Sequence, residues 1–332
     1  MNDAKYIYAN SRIKVLETRL LNSVIIERLL NADRLEEVIK ILNDTEYKNY
    51  FTTVEDIFNF EENLGRFLKD KFKIIEESTK TKIFEEFFTI MYDYQNTKAL
   101  LKAKYLNNID LKSILSYSGN IDVNQLKKAI DKREYSNLTT YLINGLDAAE
   151  ANFNLTRDPQ QIDIILDKAY FKQKYDISLD LGYDFIIDMV KTEIDLNNIR
   201  TYIRSYKLGL TEGDFSKNLL DDGYIDANTF IEWYRDSIDI LEKIEFTKYS
   251  SFKDAVQNWL NTNSPSYFEK KFDNYMLDFV KSGKMTNFGI MPIIGYLYSL
   301  INETKNLRII FVGKLNEVPK ELIEERLRDM YV

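Results

Sequence analysis

Along residues 193–204, EIDLNNIRTYIR, apolar side chains fall at Leu196, Ile199 and Ile203. At about 100° per residue these three share one stripe of an α-helix. Asp195 and Asn198 flank the stripe on one side, and Arg200 with Arg204 flank it on the other. Asn is a mediocre helix former, so Asn197-Asn198 inside a helix requires either a buried partner or a function.

The same arrangement returns twice, as DYQNTKALLKAK from Asp93 and ETKNLRIIFVGK from Glu303. In each copy an acid is followed three residues later by Asn96, Asn198 or Asn306, and two further on by Lys98, Arg200 or Arg308. A second cation follows four residues later in two copies, as Lys102 and Arg204. Cations at i and i+4 repel by a few tenths of a kcal/mol on a bare helix, which predicts a carboxylate or a partner nearby. Two readings of the asparagines stay open. They hydrogen-bond neighbouring helix ends at a repeat junction, since a buried amide needs partners, or they line a surface facing another protein. The eight candidate inter-repeat or partner-facing residues are therefore Asn96, Lys98, Lys102, Asn198, Arg200, Arg204, Asn306 and Arg308.

Other signatures recur in step. GNIDVNQL (119–126) and GYIDANTF (223–230) share Gly-x-Ile-Asp-x-Asn, with a weaker relative in NADRLEEV (31–38). EYKNY (46–50), EYSNL (134–138) and EFTKY (245–249) form a third set. The acids of the asparagine helices lie 102 and 108 residues apart, a period longer than that of the common solenoids. The expected organisation is three related helical domains: 1–118 with an extra long N-terminal helix, 119–222 and 223–332. The longest weakly polar run, NFGIMPIIGYLYSLIN (287–302), has about 14 mainly apolar positions between its asparagines, the length of a buried core helix rather than a membrane span.

Composition sharpens the fold class. Only 11 Gly and 4 Pro punctuate 332 residues, so the chain should be all-α, with long helices and short connections. A net charge of −8 argues against nucleic-acid binding, which requires surplus Lys and Arg. With no Cys and no His, the chain has no cysteine nucleophile, no disulfide, no zinc site of the usual ligand sets and no Ser-His-Asp triad. Lack of Cys suits a cytoplasmic address, and MNDAKYIYANSRIK shows no secretory leader pattern.

The remaining chemical signals are weak. DDGYIDANTFIE (221–232) resembles half of a calcium loop, but Leu220 and Thr229 stand where ligands are needed, so Asp226 and Asp122 read as helix N-caps after a glycine turn. SGKMT and VGKLN lack the first glycine of a phosphate loop. Carboxylate pairs at Glu61-Glu62, Glu76-Glu77, Glu85-Glu86 and Asp221-Asp222 read as solvated faces rather than acid–base pairs. Asp180, Asp184 and Asp188 read as steps along one helix face, a candidate for docking a basic partner, and the 23 Tyr suit protein interfaces. No catalytic, metal or cofactor site is expected.

The whole chain resembles the C-type central-stalk family of V-type and A-type rotary ATPases, to which the eukaryotic V-ATPase d-type stalk protein also belongs. YIYANSRIKVLETRLL, LNDTEY, the three asparagine helices and above all NLRIIFVGKLNEVPKELIEERLRDMYV carry the resemblance. It implies three similar helical domains in a pseudo-threefold, funnel-shaped arrangement. It also implies a non-catalytic socket that transmits torque between shaft and membrane, coupling ATP hydrolysis or synthesis to H⁺ or Na⁺ transport. The implied partners are the D- and F-type shaft subunits and the proteolipid rotor ring, with no nucleic acid and no small-molecule substrate. The implied location is peripheral, on the cytoplasmic side of the membrane. Two rival readings are a triplicated helical adaptor of another complex and a carboxylate-based or metal-dependent hydrolase.

Overall fold

A computed structural model of the chain describes residues 3–106, 111, 114–236 and 239–332. Met1 and Asn2, at the head of the stretch read as leaderless, lie outside the described residues. The described residues form helices and loops without a β-strand, the all-α class that scarce glycine and proline predict. After a 3₁₀ turn (Asp3–Tyr6) come α1 (Ile7–Glu17), α2 (Ser23–Asn31), α3 (Leu35–Leu42), α4 (Val54–Phe58), α5 (Phe60–Thr79) and α6 (Ile83–Tyr105). Next are α7 (Val123–Lys132), α8 (Thr140–Thr156), α9 (Pro159–Leu181) and α10 (Asp184–Leu208). The remainder is α11 (Glu212–Lys217), α12 (Ala227–Arg235), α13 (Ile240–Glu245), α14 (Lys253–Thr262), α15 (Ser266–Lys281), α16 (Met291–Leu315) and α17 (Lys320–Glu324). The asparagine helices are α6, α10 and α16.

Two compact units divide the chain. Unit 1 takes Met1–Tyr170 and Leu277–Val332, and unit 2 takes Phe171–Met276, so the divisions fall within α9 and α15. In unit 1, α16 packs on α1 and α5. Tyr47 stacks on Phe67 with ring centroids 3.9 Å apart, and Phe51 meets Phe311. In unit 2, α10 packs on α12 and α14 around Phe215, Phe230 and Phe252, all fully buried. Each such side chain contributes about 1.5–3 kcal/mol by leaving water.

Local chemistry explains the helix ends. Asp122 Oδ1 accepts from the N–H groups of Asn124 (3.0 Å) and Gln125 (3.1 Å), and Asp226 Oδ1 accepts from Asn228 N–H at 2.8 Å. The glycine-turn aspartates are N-caps, each supplying about 1 kcal/mol. Among the described residues no group of three Asp or Glu is placed to hold a metal ion. Pro292 lies in the first turn of α16, where its missing N–H costs nothing. From Met291 onward the apolar run becomes the largely buried first half of α16, after an exposed lead-in at Asn287 and Phe288, and among the described residues no helix is long and apolar enough to cross a membrane.

Two details differ from the expectation. The N-terminal helix α1 has only 11 residues. Asp180 belongs to α9 and Asp184 opens α10, because the chain turns at Gly182, whose φ is +67°. The three aspartates therefore do not share one helix face, and the Asp188 carboxylate accepts from the Tyr224 hydroxyl.

Candidate functional site

The polar residues that interrupt the asparagine helices are buried as deeply as the apolar stripe. Asn96, Asn198 and Asn306 are fully inaccessible, as are Leu196, Ile199 and Ile203, while Asp93, Asp195 and Glu303 are nearly so. A buried carboxamide carries two donors and an acceptor that must be satisfied. Each asparagine does so in the same way, by pairing with the backbone of one residue further along the chain. Asn96 Nδ2 donates to Ser116 O (2.7 Å) while Ser116 N–H donates to Asn96 Oδ1 (2.8 Å). Asn198 makes the same pair with Leu220 O and N, both at 2.9 Å. Asn306 makes it with Arg328 O (3.0 Å) and N (2.9 Å). The amide imitates a peptide group and clamps an irregular loop onto the helix.

The acid three residues earlier receives a turn. Asp93 Oδ1 accepts from Ile121 N–H (3.0 Å), and Oδ2 accepts from the backbone and side-chain N–H groups of Asn120 (3.3 and 3.2 Å). Asp195 Oδ1 accepts from Ile225 N–H (3.1 Å), and Oδ2 from Tyr224 N–H (3.2 Å) and the Tyr249 hydroxyl (2.6 Å). Glu303 Oε1 accepts from Leu21 N–H, and Oε2 from the Tyr47 hydroxyl at 3.2 Å. Burial is the largest influence on all three acids. It pushes Glu303 up to about 8 and Asp93 up to about 6, against the lowering effect of the donated hydrogen bonds. Asp195 is raised for the same reason. Their lone pairs serve donors from the chain itself, so the arrangement fastens the fold rather than presenting an acid–base pair.

The third turn corrects the reading of the sequence. The equivalent of Gly-x-Ile-Asp in the first copy is Arg19-Leu20-Leu21-Asn22, not NADRLEEV. Leu21 supplies the N–H that Ile121 and Ile225 supply elsewhere, and Asn22 caps α2 through Ile25 N–H at 3.0 Å. The following apolar positions, Ile26, Leu126 and Phe230, are all buried. The third signature also shifts. Thr45 Oγ1 donates to Leu42 O (2.7 Å) and accepts from Tyr47 N–H (3.1 Å), and Thr247 Oγ1 repeats this with Ile244 O (2.8 Å) and Tyr249 N–H (3.1 Å). Tyr249 thus corresponds to Tyr47, three residues out of step with the match of EFTKY to EYKNY. In the middle copy Tyr135, which shares Glu-Tyr-x-Asn with Tyr47, has a buried hydroxyl with no hydrogen bond among the described residues, and Asn120 takes the place on Asp93.

Every cation of the set reaches a carboxylate of the same chain. On α6, Lys98 pairs with Asp167 and Lys102 with Asp163 (2.5 Å), both on α9. On α10, Arg200 and Arg204 share Glu269 of α15, at 3.2 and 3.8 Å. On α16, Arg308 makes a two-pronged pair with Glu61 of α5, Nε to Oε1 at 2.5 Å and Nη2 to Oε2 at 2.8 Å. The carboxylates escaped sequence reasoning because no repeated motif surrounds them, and Tyr47 and Tyr249 because the match of EYKNY to EFTKY sets them out of register. The Thr-x-Tyr pair was the one available signal.

Known proteins resemble the chain along nearly its whole length. The family model described as ATP synthase (C/AC39) subunit matches residues 9–326. The chain is 27% identical to the A-type ATP synthase C-subunit of Methanocaldococcus jannaschii, over 98% of this chain and 86% of that protein. It is 25% identical to the V-type sodium ATPase C-subunit of Enterococcus hirae, over 98% and 99% of the two chains. A further relative, the A-type ATP synthase C-subunit of Methanosphaera stadtmanae, is 24% identical over 97% and 87%. A match spanning nearly the full length makes this chain a member of the ATP synthase (C/AC39) subunit family, a subunit of a rotary ATPase.

Proposed function

We propose that the chain is the non-catalytic central-stalk subunit of its ATPase, a socket that joins the D- and F-type shaft subunits to the proteolipid rotor ring and passes torque between them. The observation that carries this reading is the thrice-repeated clamp. A torque-bearing part must resist shear at many points, and each asparagine helix here is tied to its loop by two buried hydrogen bonds and to another helix by ion pairs. Load spread over three equivalent fastenings leaves no single weak link. The division into three helical domains, breaking near 118 and 222, and a peripheral position on the cytoplasmic side of the membrane belong to the same proposal.

Native mass spectrometry of the chain with the shaft subunits of its own ATPase tests the reading. The expected result is a one-to-one complex at low salt that dissociates as salt rises, since polar contacts between exposed charges are screened. Folded partners that do not associate at low salt would overturn it in favour of a different position within the ATPase.

A further inference from the structure

Eleven residues after the acid of each asparagine helix stand Lys104, Tyr206 and Lys314. The two lysines are used internally. Lys314 Nζ donates to Leu30 O (3.2 Å) and Ala32 O (2.5 Å) at the end of α2, within the field of Asp33 and Glu37. Lys104 Nζ donates to Glu150 Oε1 at 2.6 Å. At the third position Tyr206 is 61% exposed. A cavity of about 290 Å³ opens beside it, lined by Tyr202, Tyr206, Asp239, Ile240, Leu241 and Leu260 among others.

The register that matches Thr45 with Thr247 also matches Glu37 with Asp239, Val38 with Ile240 and Ile39 with Leu241. All four of those apolar residues are buried. The cavity of unit 2 therefore keeps a counterpart of Glu37, one of the two acids near Lys314 in unit 1, and has a tyrosine where the lysine stands. Asp239 caps Leu241 N–H at 2.9 Å and its charge reaches the Tyr202 hydroxyl, but among the described residues it has no ion-pair partner. The neighbouring Lys207 points elsewhere, donating to Trp259 O (3.1 Å) and Leu260 O (3.0 Å).

We propose that this cavity receives a lysine side chain presented by a partner protein, which takes in unit 2 the part that Lys314 plays in unit 1. The chemistry of the walls fits one residue type. Ile240, Leu241 and Leu260 offer apolar cover to a methylene stem, and Tyr202, Tyr206 and the exposed carboxylate of Asp239, groups that attract an ammonium, line the same cavity. A cavity of this size is near the lower bound for ligand sites, about 300 Å³, enough for one long side chain and attendant water. The inference does not depend on the central-stalk reading.

The test titrates the full chain with N-acetyl-lysine methylamide and, separately, with its norleucine counterpart, which has a straight chain but no charge. Methyl signals of Ile203, Ile240, Leu241 and Leu260 report occupancy. The lysine compound should shift them saturably, with norleucine weaker by about tenfold or more. Asp239→Asn, which retains an N-cap, should bring lysine down to the norleucine level. Tyr206→Lys should fill the cavity from within, abolish the shifts and raise the unfolding temperature. Equal binding of lysine and norleucine, an absence of saturable shifts in the wild-type chain, or undiminished lysine binding by the correctly folded Tyr206→Lys variant would each overturn the proposal.

Discussion

Asp195 and Glu303 hold the same position in their helices and do the same work over different distances. Asp195 takes N–H groups 29 and 30 residues ahead of it, whereas Glu303 takes one 282 residues behind, close to the N-terminus. In the nearby case a glycine, Gly223, faces the carboxylate so closely that an added Cβ would overlap Asp195 Oδ1, and Gly119 stands in the same relation to Asp93. In the distant case the matching residue is Arg19, and the acid is one methylene longer. The difference teaches that glycine is demanded by the short reach of aspartate, which draws the turn's backbone in, and not by the turn itself. The distant clamp also closes a loop about ten times longer, an entropic cost of roughly 2 kcal/mol more if it acted alone. It does not act alone. Asn10 Nδ2 donates to Gly289 O at 3.0 Å, and the Tyr331 hydroxyl donates to Glu17 at 3.2 Å.

Gly223→Ala breaks the comparison most severely. The new methyl group must displace a carboxylate held by three hydrogen bonds, and leaving buried donors unpaired costs about 1–3 kcal/mol each. We expect a loss of about 3 kcal/mol or more in unit 2, read from chemical denaturation, and poor expression. Arg19→Gly, which installs the missing glycine beside the longer acid, should not strengthen the distant clamp. If Gly223→Ala proves neutral, the link between acid length and glycine is wrong.

This pairing also marks how far the sequence could be read. The asparagine positions were legible because the whole pattern around them is triplicated, and the all-α class because glycine and proline are scarce. Asp122 and Asp226 were legible as caps because a cap is decided within three residues. The turn at Leu20–Leu21 was hidden because its glycine is gone, compensated by the side chain of Glu303 at the other end of the chain. Glu61, Asp163, Asp167 and Glu269 were hidden because an ion pair needs only a carboxylate within reach, and several positions on a helix face satisfy that. The slip at Tyr249 arose because Glu245 mimics Glu46 in sequence while the Thr-x-Tyr geometry sets the true register.

Glu303→Gln sharpens the comparison through pH. Burial raises the folded Glu303 to about 8 from an ordinary value of 4.5, so between these limits the folded chain keeps a proton that the unfolded chain releases. Stability must then fall as pH rises through that window. The groups around the site are Tyr47, Tyr296, Lys71, Glu46 and Arg19, of which Lys71 is already paired with Glu46 at 2.5 Å. Relative to Glu303→Gln, the wild-type chain should lose on the order of 2–3 kcal/mol between pH 5 and pH 7. Thermal unfolding of both proteins across that range provides the check. Asp93→Asn should show the same effect at lower pH, between the usual aspartate value of 3.8 and about 6. Parallel pH profiles for Glu303→Gln and the wild type would show that the distant carboxylate is already ionised in the fold.

The ion pairs supply the smallest contrast. Arg308 and Glu61 are mostly covered and meet through two parallel hydrogen bonds, the geometry in which arginine pairs are strongest. Arg204 is 56% exposed in its side chain and lies 3.8 Å from Glu269, which Arg200 approaches to 3.2 Å. Removing Arg308 strands a partly buried carboxylate and should cost about 1–2 kcal/mol, whereas exposed pairs give about 0–1 kcal/mol and often nothing measurable. Arg204→Ala should therefore change stability by less than about 0.5 kcal/mol, because Arg200 remains to neutralise Glu269. The double variant Arg200→Ala/Arg204→Ala separates two uses of the second cation. A loss greater than the sum of the single changes means that each arginine substitutes for the other on Glu269. Simple additivity, combined with weaker association of Arg204→Ala with the shaft subunits, would instead assign Arg204 to the partner and leave Arg200 as the fastening within unit 2.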